Sequence, residues 1–347
     1  MATNGQDRRF RILFVHPYPA HQMSTFVRQD LCLLREFCDV QEMSLCDVEH
    51  PFRSPMTSQA MWRAIGRCHL VFGWFGSCTP LVLMARALRK PSILVGGGGD
   101  VVSVPEIGYG VAPRLRWRDS LMLSGFRFAS RVLLFSESSK QSLSALPHMR
   151  YANLQTLYLS VDGDHFAPNG EKQPRALTVG FMTTVSVKRK GILAFIEAAR
   201  LAPDIPFHLS GKAMDEPAVT TLISGAPANL RYLGFLDDEE LLSEYQQATV
   251  YAQLSMHEGF GVALAEAMAC ECAPVVTRCG SIPEVVGDTG VYVDDTAPAT
   301  VSAAVRRTLN SDTRAMGRRA RERVLDLFPI AKRREGLRRA VEEVVVG

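Results

Sequence analysis

Glu258 and Glu266 frame the stretch of this 347-residue chain best equipped for chemistry, Ser255-Met-His-Glu-Gly-Phe-Gly-Val-Ala-Leu-Ala-Glu-Ala-Met-Ala-Cys270. The apolar run Thr249–Leu254 precedes it, Gly-Phe-Gly can turn the chain, and a strong helix former starts at Val262. Backbone N–H groups at a helix start favour negative charge, so Gly259, Phe260, Gly261 and Val262 make a phosphate cradle. Glu258 precedes the cradle and Glu266 lies about one turn inside the helix, so the two carboxylates occupy different places along the site. Taken singly, each is an ordinary helix charge worth ~0.3–1 kcal/mol. Their shared surroundings are what make them a site.

Such a site needs a rigid scaffold, and the rest of the chain supplies one. Short apolar runs alternate with amphipathic stretches of helical length, the signature of βαβ units and parallel sheets. One series runs through Arg11–Val15, Val40–Leu45, His69–Gly73, Ser92–Val95 and Arg131–Ser136, with helical patterns at Ser24–Glu36 and Pro80–Leu88. A second runs through Ala176–Met182, Phe207–Ser210, Leu230–Leu233, Val250–Ala252 and Ala273–Thr277. The Gly-, Pro- and charge-rich VDGDHFAPNGEKQPR between them reads as a linker. Helical patterns follow at Thr300–Leu309, Ser311–Leu327 and Ile330–Val345, the last two separated by Pro329. The expected fold is α/β, with two facing Rossmann-like domains and a cleft between them. Length agrees, since ~150 residues per domain gives two.

Composition excludes several classes. A hydrophobic content of 47% against 22% charged rules out disorder. The 39 basic and 36 acidic residues leave a net charge of +3, too even to predict nucleic-acid binding. Eight cysteines without a C-x-x-C pair support neither a metal site nor a disulfide framework, and are expected to be buried, reduced thiols of a cytoplasmic protein. The N-terminus has too short an apolar run for a signal peptide.

The Ser255–Cys270 segment, continued by Glu271-Cys-Ala-Pro274-Val-Val, resembles the E-x7-E signature of GT4-family retaining glycosyltransferases, which have the GT-B fold. Gly280-Ser-Ile-Pro-Glu284, Asn229-Leu-Arg-Tyr-Leu-Gly234-Phe-Leu, the Lys190-Gly191 pair and Leu159-Ser-Val-Asp162-Gly-Asp-His-Phe166-Ala-Pro resemble further segments of that family. The resemblance is dense over about residues 158–330 and weaker before them. It implies an acceptor-binding domain over 1–165, a nucleotide-sugar donor domain over 166–327, and a helix at 328–347 packing back on the first domain. It also implies that Glu258 braces the reaction centre against the donor sugar and that Glu266 binds ribose hydroxyls. Lys190, Arg189 and the amides of Gly259–Val262 would hold the diphosphate, while Gly234 and Phe235 would lie beside the nucleobase. The implied reaction is sugar transfer to the hydroxyl of a glycan, a lipid-linked molecule or a small molecule. It needs no metal and no cofactor beyond the nucleotide sugar as co-substrate. A phosphorylase or synthase of the same fold and a non-catalytic nucleotide-sugar-binding subunit are the rival readings.

Two positions depart from the family. Gly97 in Gly96-Gly-Gly-Gly-Asp100 stands where the family commonly has a histidine, and Phe181 follows Gly180 where an arginine is usual, leaving Arg189 to supply that cation. A glycine run lets a ligand approach the backbone, so Gly97, Gly98 and Asp100 join His16 on the sugar or acceptor side. Gly96–Asp100 does not scan as G-x-G-x-x-G, which argues against a nicotinamide enzyme. Asp162-Gly-Asp164 mimics a metal motif but falls in the linker. His16, His21 and His257 are the histidines expected nearest the cleft, though none has a triad partner. Residues 113–131 combine Arg with Trp and Phe at helical spacing. They suit peripheral contact with an anionic membrane face, or a plain helix burying Leu115, Leu121, Leu123 and Phe126, the more usual role of such a stripe.

Overall fold

The computed structural model describes residues 9–19, 22–46, 55–111, 117–146, 150–214 and 216–347. The backbone clusters into two units, one of residues 1–105, 110–159 and 331–347, the other of residues 106–109 and 160–330.

The first unit is built on a parallel sheet of β1 (Phe10–His16), β2 (Cys38–Ser44), β3 (Leu70–Trp74), β4 (Ser92–Gly96), β7 (Arg131–Leu134) and β8 (Leu154–Thr156). Their spatial order is β2-β1-β3-β4-β7-β8. Two-residue strands β5 (Ser103–Val104) and β6 (Tyr109–Gly110) stand apart from this sheet. β3 and β4 are buried along their whole length, as continuous apolar runs must be when helices cover both faces of a parallel sheet. Leu13, Val71, Leu94 and Val132 of these strands pack with Leu81, Leu123 and Phe126 from the helices. The last helix, Ile330–Val346, is pinned inside this unit by Arg333, which is 2% exposed and grips Asp30 through Nε at 2.9 Å and Nη2 at 2.7 Å.

The second unit repeats the architecture with β9 (Gln173–Val179), β10 (Phe207–Ser210), β11 (Leu230–Gly234), β12 (Ala248–Gln253), β13 (Ala273–Val276) and β14 (Val291–Tyr292), in the order β11-β10-β9-β12-β13-β14. Its core joins Ala176, Phe207, Val250 and Val275 to Ile192, Phe195 and Val301. The GT-B expectation of two Rossmann-like α/β domains is met.

Several local expectations are corrected. The linker ends earlier than its composition suggests: β9 starts at Gln173, and Arg175 is a buried strand residue whose Nη2 donates to Glu244 at 2.9 Å. Charge marks this residue for water, yet a carboxylate on the neighbouring helix satisfies it. Cys32 and Cys46 are exposed and Cys279 is half-buried, unlike the other five cysteines, and all eight are free. In helix Trp117–Phe128, Leu123 and Phe126 are buried as expected, but Leu121 is 41% exposed. Leu115 lies outside the described residues, as do His21 and residues 113–116 of the Arg-Trp-Phe stretch.

Candidate functional site

In the second unit the chain leaves β12 at Gln253 and reaches Glu258 through a short loop before helix Val262–Ala269 begins. Gly261 caps that helix with φ 90°, a left-handed conformation that glycine adopts at little cost. The first-turn amides of the helix have no intrahelical acceptor, as at any helix start.

The Glu258 carboxylate is largely buried and accepts from three side chains: Gln253 Nε2 at 3.1 Å, Lys190 Nζ at 3.4 Å and Ser255 Oγ at 3.5 Å. Arg189 Nη1 lies 3.9 Å from the same oxygen and donates to the His257 carbonyl at 3.2 Å. Burial pushes the Glu258 carboxyl up, but Lys190, Arg189 and His257 outweigh it and hold the group below the ordinary glutamate range. The site therefore presents a fixed carboxylate flanked by two cations.

Glycines allow this approach. A Cβ on Gly180 would run into the Lys190 side chain, one on Gly191 into the Leu254 carbonyl, and one on Gly280 into the Glu258 carbonyl. The Gly280-Ser281 turn holds that carbonyl directly: Ser281 donates to it from its amide at 3.0 Å and from its hydroxyl at 3.1 Å. The Gly280–Glu284 segment thus fixes the Glu258 backbone.

Glu266 is half-buried and accepts from the buried Tyr245 hydroxyl at 3.2 Å. Burial pushes its carboxyl up to about 8, so at neutral pH it is mostly protonated and can donate to an oxygen. Phe260 is 2% exposed and packs on Phe328, so its ring belongs to the core rather than to a ligand surface. Gly234 turns the chain with φ 70°, and Phe235 beyond it is 68% exposed. Phe181 is also exposed, and of the basic run it is Arg189 and Lys190 that reach the Glu258 carboxylate. His257 is 6% exposed rather than a surface residue; burial holds its imidazole below the usual range, and its Nε2 has no partner.

In the first unit, His16 is fully buried at the end of β1, with Nε2 3.3 Å from Glu42 Oε1. Asp100, expected on the sugar or acceptor side, has a different task. One carboxylate oxygen accepts from the Gly76 amide at 3.0 Å, the other from the amides of Gly98 at 3.0 Å and Gly97 at 3.4 Å. The carboxylate ties the β4 loop to the turn after β3. Gly97 is buried, and a Cβ there would collide with the Phe135 ring.

Sequence reasoning missed Gln253, Ser255, Tyr245 and Ser281. Gln253 is the most instructive: its amide donates to both Ser255 Oγ and Glu258, while its oxygen accepts from Tyr251. A polar residue closing an otherwise apolar strand was the available signal. Among the described residues, no group of three or more His, Cys, Asp or Glu is placed to hold a metal ion. Asp162 instead accepts the amides of Asp164 and His165 in a turn.

The sequence pattern described as "Glycosyl transferases group 1" matches residues 166–323. The chain is 26% identical over 234 residues to the O-antigen chain mannosyltransferase B of Escherichia coli, a match covering 62% of this chain and 60% of that relative. It is 28% identical over 310 residues to a GDP-mannose-dependent alpha-(1-6)-phosphatidylinositol monomannoside mannosyltransferase of Mycolicibacterium smegmatis, covering 80% of this chain and 79% of the relative. Among solved structures, Anabaena HepE in complex with UDP and glucose superposes with a TM-score of 0.77 at 14% identity, over 96% of this chain and 100% of that one. The sucrose-phosphate synthase of Thermosynechococcus elongatus does so with a TM-score of 0.74 at 16% identity, over 97% and 100%.

Proposed function

We propose that this chain is a group 1 glycosyltransferase of GT-B fold and that it transfers a hexose, with retention of anomeric configuration and without a metal, from a nucleoside-diphosphate sugar to an acceptor hydroxyl. The observation that carries the reading is the Glu258 carboxylate, clamped by Lys190 and Arg189 beside the Gly261-led helix start. Residues 166–327 bind the donor and residues 1–165 the acceptor. Two relatives named as GDP-mannose-dependent mannosyltransferases favour GDP-mannose as donor and a glycan or lipid-linked acceptor.

Departure of the nucleoside diphosphate leaves negative charge on the β-phosphate. Lys190, Arg189 and the Gly259–Val262 amides are fixed in advance and stabilise charge that grows in the transition state. Glu258 keeps the two cations in place and meets the hydroxyls of the sugar being transferred. The leaving phosphate receives the acceptor proton on the same face of the sugar, so no separate nucleophile or base is required. Glu266 contacts the ribose.

A cytoplasmic location, with peripheral contact at the inner membrane face through residues 113–131, belongs to the same proposal. Trp117 and Leu121 are exposed on helix Trp117–Phe128, and Arg86 and Arg127 lie over the ring of Phe128. No helix among the described residues is long and apolar enough to cross a membrane. Flotation with anionic vesicles tests the contact, and no binding sinks it. The donor is tested by a thermal-shift panel of GDP-, UDP-, ADP- and TDP-sugars, since a ligand that binds only the folded state raises apparent stability. GDP-mannose is expected to give the largest shift; a chain that responds to no nucleotide sugar overturns the proposal.

A further inference from the structure

Among the described residues, the contacts that fix the Glu258 carboxylate end on one atom. Gln253 Nε2 at 3.1 Å, Lys190 Nζ at 3.4 Å, Ser255 Oγ at 3.5 Å and Arg189 Nη1 at 3.9 Å all approach Oε2, and Oε1 takes part in none of these contacts. A charge-assisted pair closes to about 2.7–2.9 Å when nothing opposes it. Here both cations stand farther from Oε2 than the uncharged amide of Gln253 does. Gln253 and Ser255 hold the carboxylate back from the cations beside it.

The strand explains how an amide does this. Successive side chains of β12 point to opposite faces: Val250 and Ala252 join the core of the second unit, while Tyr251 and Gln253 share the other face. Tyr251 is 0% exposed and Gln253 2% exposed, and buried polar groups destabilise a fold unless they are paired. The Tyr251 hydroxyl donates to Gln253 Oε1 at 3.3 Å, and Gln253 Nε2 donates to Ser255 Oγ at 2.6 Å as well as to Glu258. The two ends of a glutamine amide have the same shape, so their partners decide which way it faces. Burial holds the Tyr251 hydroxyl well above the ordinary tyrosine value, so it keeps a hydrogen to give. An ionised Glu258 can only accept. Turned over, the amide would set its oxygen against the carboxylate. Tyr251 therefore fixes the Gln253 amide in the orientation that donates to Glu258.

We propose that Gln253, oriented by Tyr251, is the positioning residue of the transfer reaction: it anchors Oε2, leaves Oε1 for the sugar being transferred, and keeps Lys190 and Arg189 free for the diphosphate. The inference rests on the transferase reading and adds what holds its central carboxylate in place. Without the Gln253 amide, the cations outweigh Ser255 and the carboxylate closes on them. That movement takes Oε1 away from the sugar. It also sets a carboxylate in competition with the diphosphate for the same two cations.

These consequences separate positioning from packing. Gln253→Met keeps the length of the side chain and removes its hydrogen bonds. It should lower kcat for nucleotide release from GDP-mannose about 10–100-fold, as a displaced reacting group does. It should also weaken binding of GDP or UDP, whichever the parent takes, by about tenfold, a coupling usual within one hydrogen-bond network. The decisive measurement is the same substitution with Glu258→Gln added. No charge is then left to close on the cations, so Gln253→Met should no longer weaken nucleotide binding, whereas a packing defect would weaken it in both backgrounds. Tyr251→Phe keeps the ring, removes the hydroxyl and should shift kcat and nucleotide affinity in the same direction by less; it carries the test if Gln253→Met does not fold. Unchanged kcat and affinity in these single variants, or an equal loss of affinity with and without the Glu258 carboxylate, overturns the proposal. A parent that binds nucleotide but never turns over sinks the transferase reading alone, and the binding comparison still decides for or against Gln253. A parent that binds neither GDP nor UDP overturns both.

Discussion

Glu258→Gln separates the chemical role of the Glu258 constellation from mere folding. The carboxylate lies 3.4 Å from Lys190 Nζ and 3.9 Å from Arg189 Nη1, and at an effective dielectric constant of about 20 these attractions come to about 5 and 4 kcal/mol. Desolvating a buried carboxylate costs several kcal/mol, and a glutamine of the same shape keeps part of the hydrogen bonding. The net loss is about 2–3 kcal/mol, or about 4–12 °C of melting temperature for domains of this size. The same change leaves two cations without their counter-charge beside the helix start, so a nucleoside diphosphate should bind as tightly as before or more so. Sugar transfer should fall about 10²–10³-fold, the usual effect of removing one fixed electrostatic group from a transition state. Scanning calorimetry, titration with GDP and UDP, and nucleotide release from GDP-mannose report on the three quantities. A variant that melts like the parent, loses diphosphate binding or keeps full turnover would refute the reasoning.

Three further outcomes follow from the geometry. Gly280→Ala places a methyl group against the Glu258 carbonyl at a φ of 58°, so it should lower kcat by tenfold or more with little change in donor KM; wild-type kcat would show that this turn does not position Glu258. The Glu266 carboxyl is raised from 4.5 to about 8 in the folded chain. The folded state therefore holds more protons between those values, and stability falls as pH rises through that window. Glu266→Gln removes the proton that is lost, so its melting temperature should gain on the parent from pH 5 to pH 8.5, and a constant difference contradicts the assignment. Arg333→Met leaves the buried Asp30 unpaired and should cost about 3–5 kcal/mol in denaturant unfolding, recovered in part by adding Asp30→Leu; a loss under about 1 kcal/mol would mean that the pair does not secure the last helix.

The ten apolar runs read as strands all appear in the two sheets; central strands such as β3, β4, β10 and β12 are buried throughout and leave an unbroken apolar signal, while the edge strands β2 and β11 are only partly buried. Two short strands, Leu154–Thr156 and Val291–Tyr292, carry too few residues to show one. At the site, Glu258 and the Gly261 turn were legible from their spacing within one segment, whereas Lys190, 68 residues away, was implied only by the family resemblance. Gln253 was not, since a lone glutamine leaves no periodicity and its value lies in a hydrogen bond across a loop. Asp100 was visible as a charge, but only the fold shows its two oxygens spent on backbone amides.

The central claim is transfer with retention from a nucleotide sugar, and the configuration of the product bond tests it most directly. The chain would be incubated with GDP-mannose and methyl α-D-mannopyranoside while the anomeric signals are followed by proton NMR. An α-linked disaccharide, formed by the parent and suppressed in Glu258→Gln, is the predicted result. A β-linked product from the α-configured donor would contradict same-face attack and, with it, the role given to the leaving phosphate.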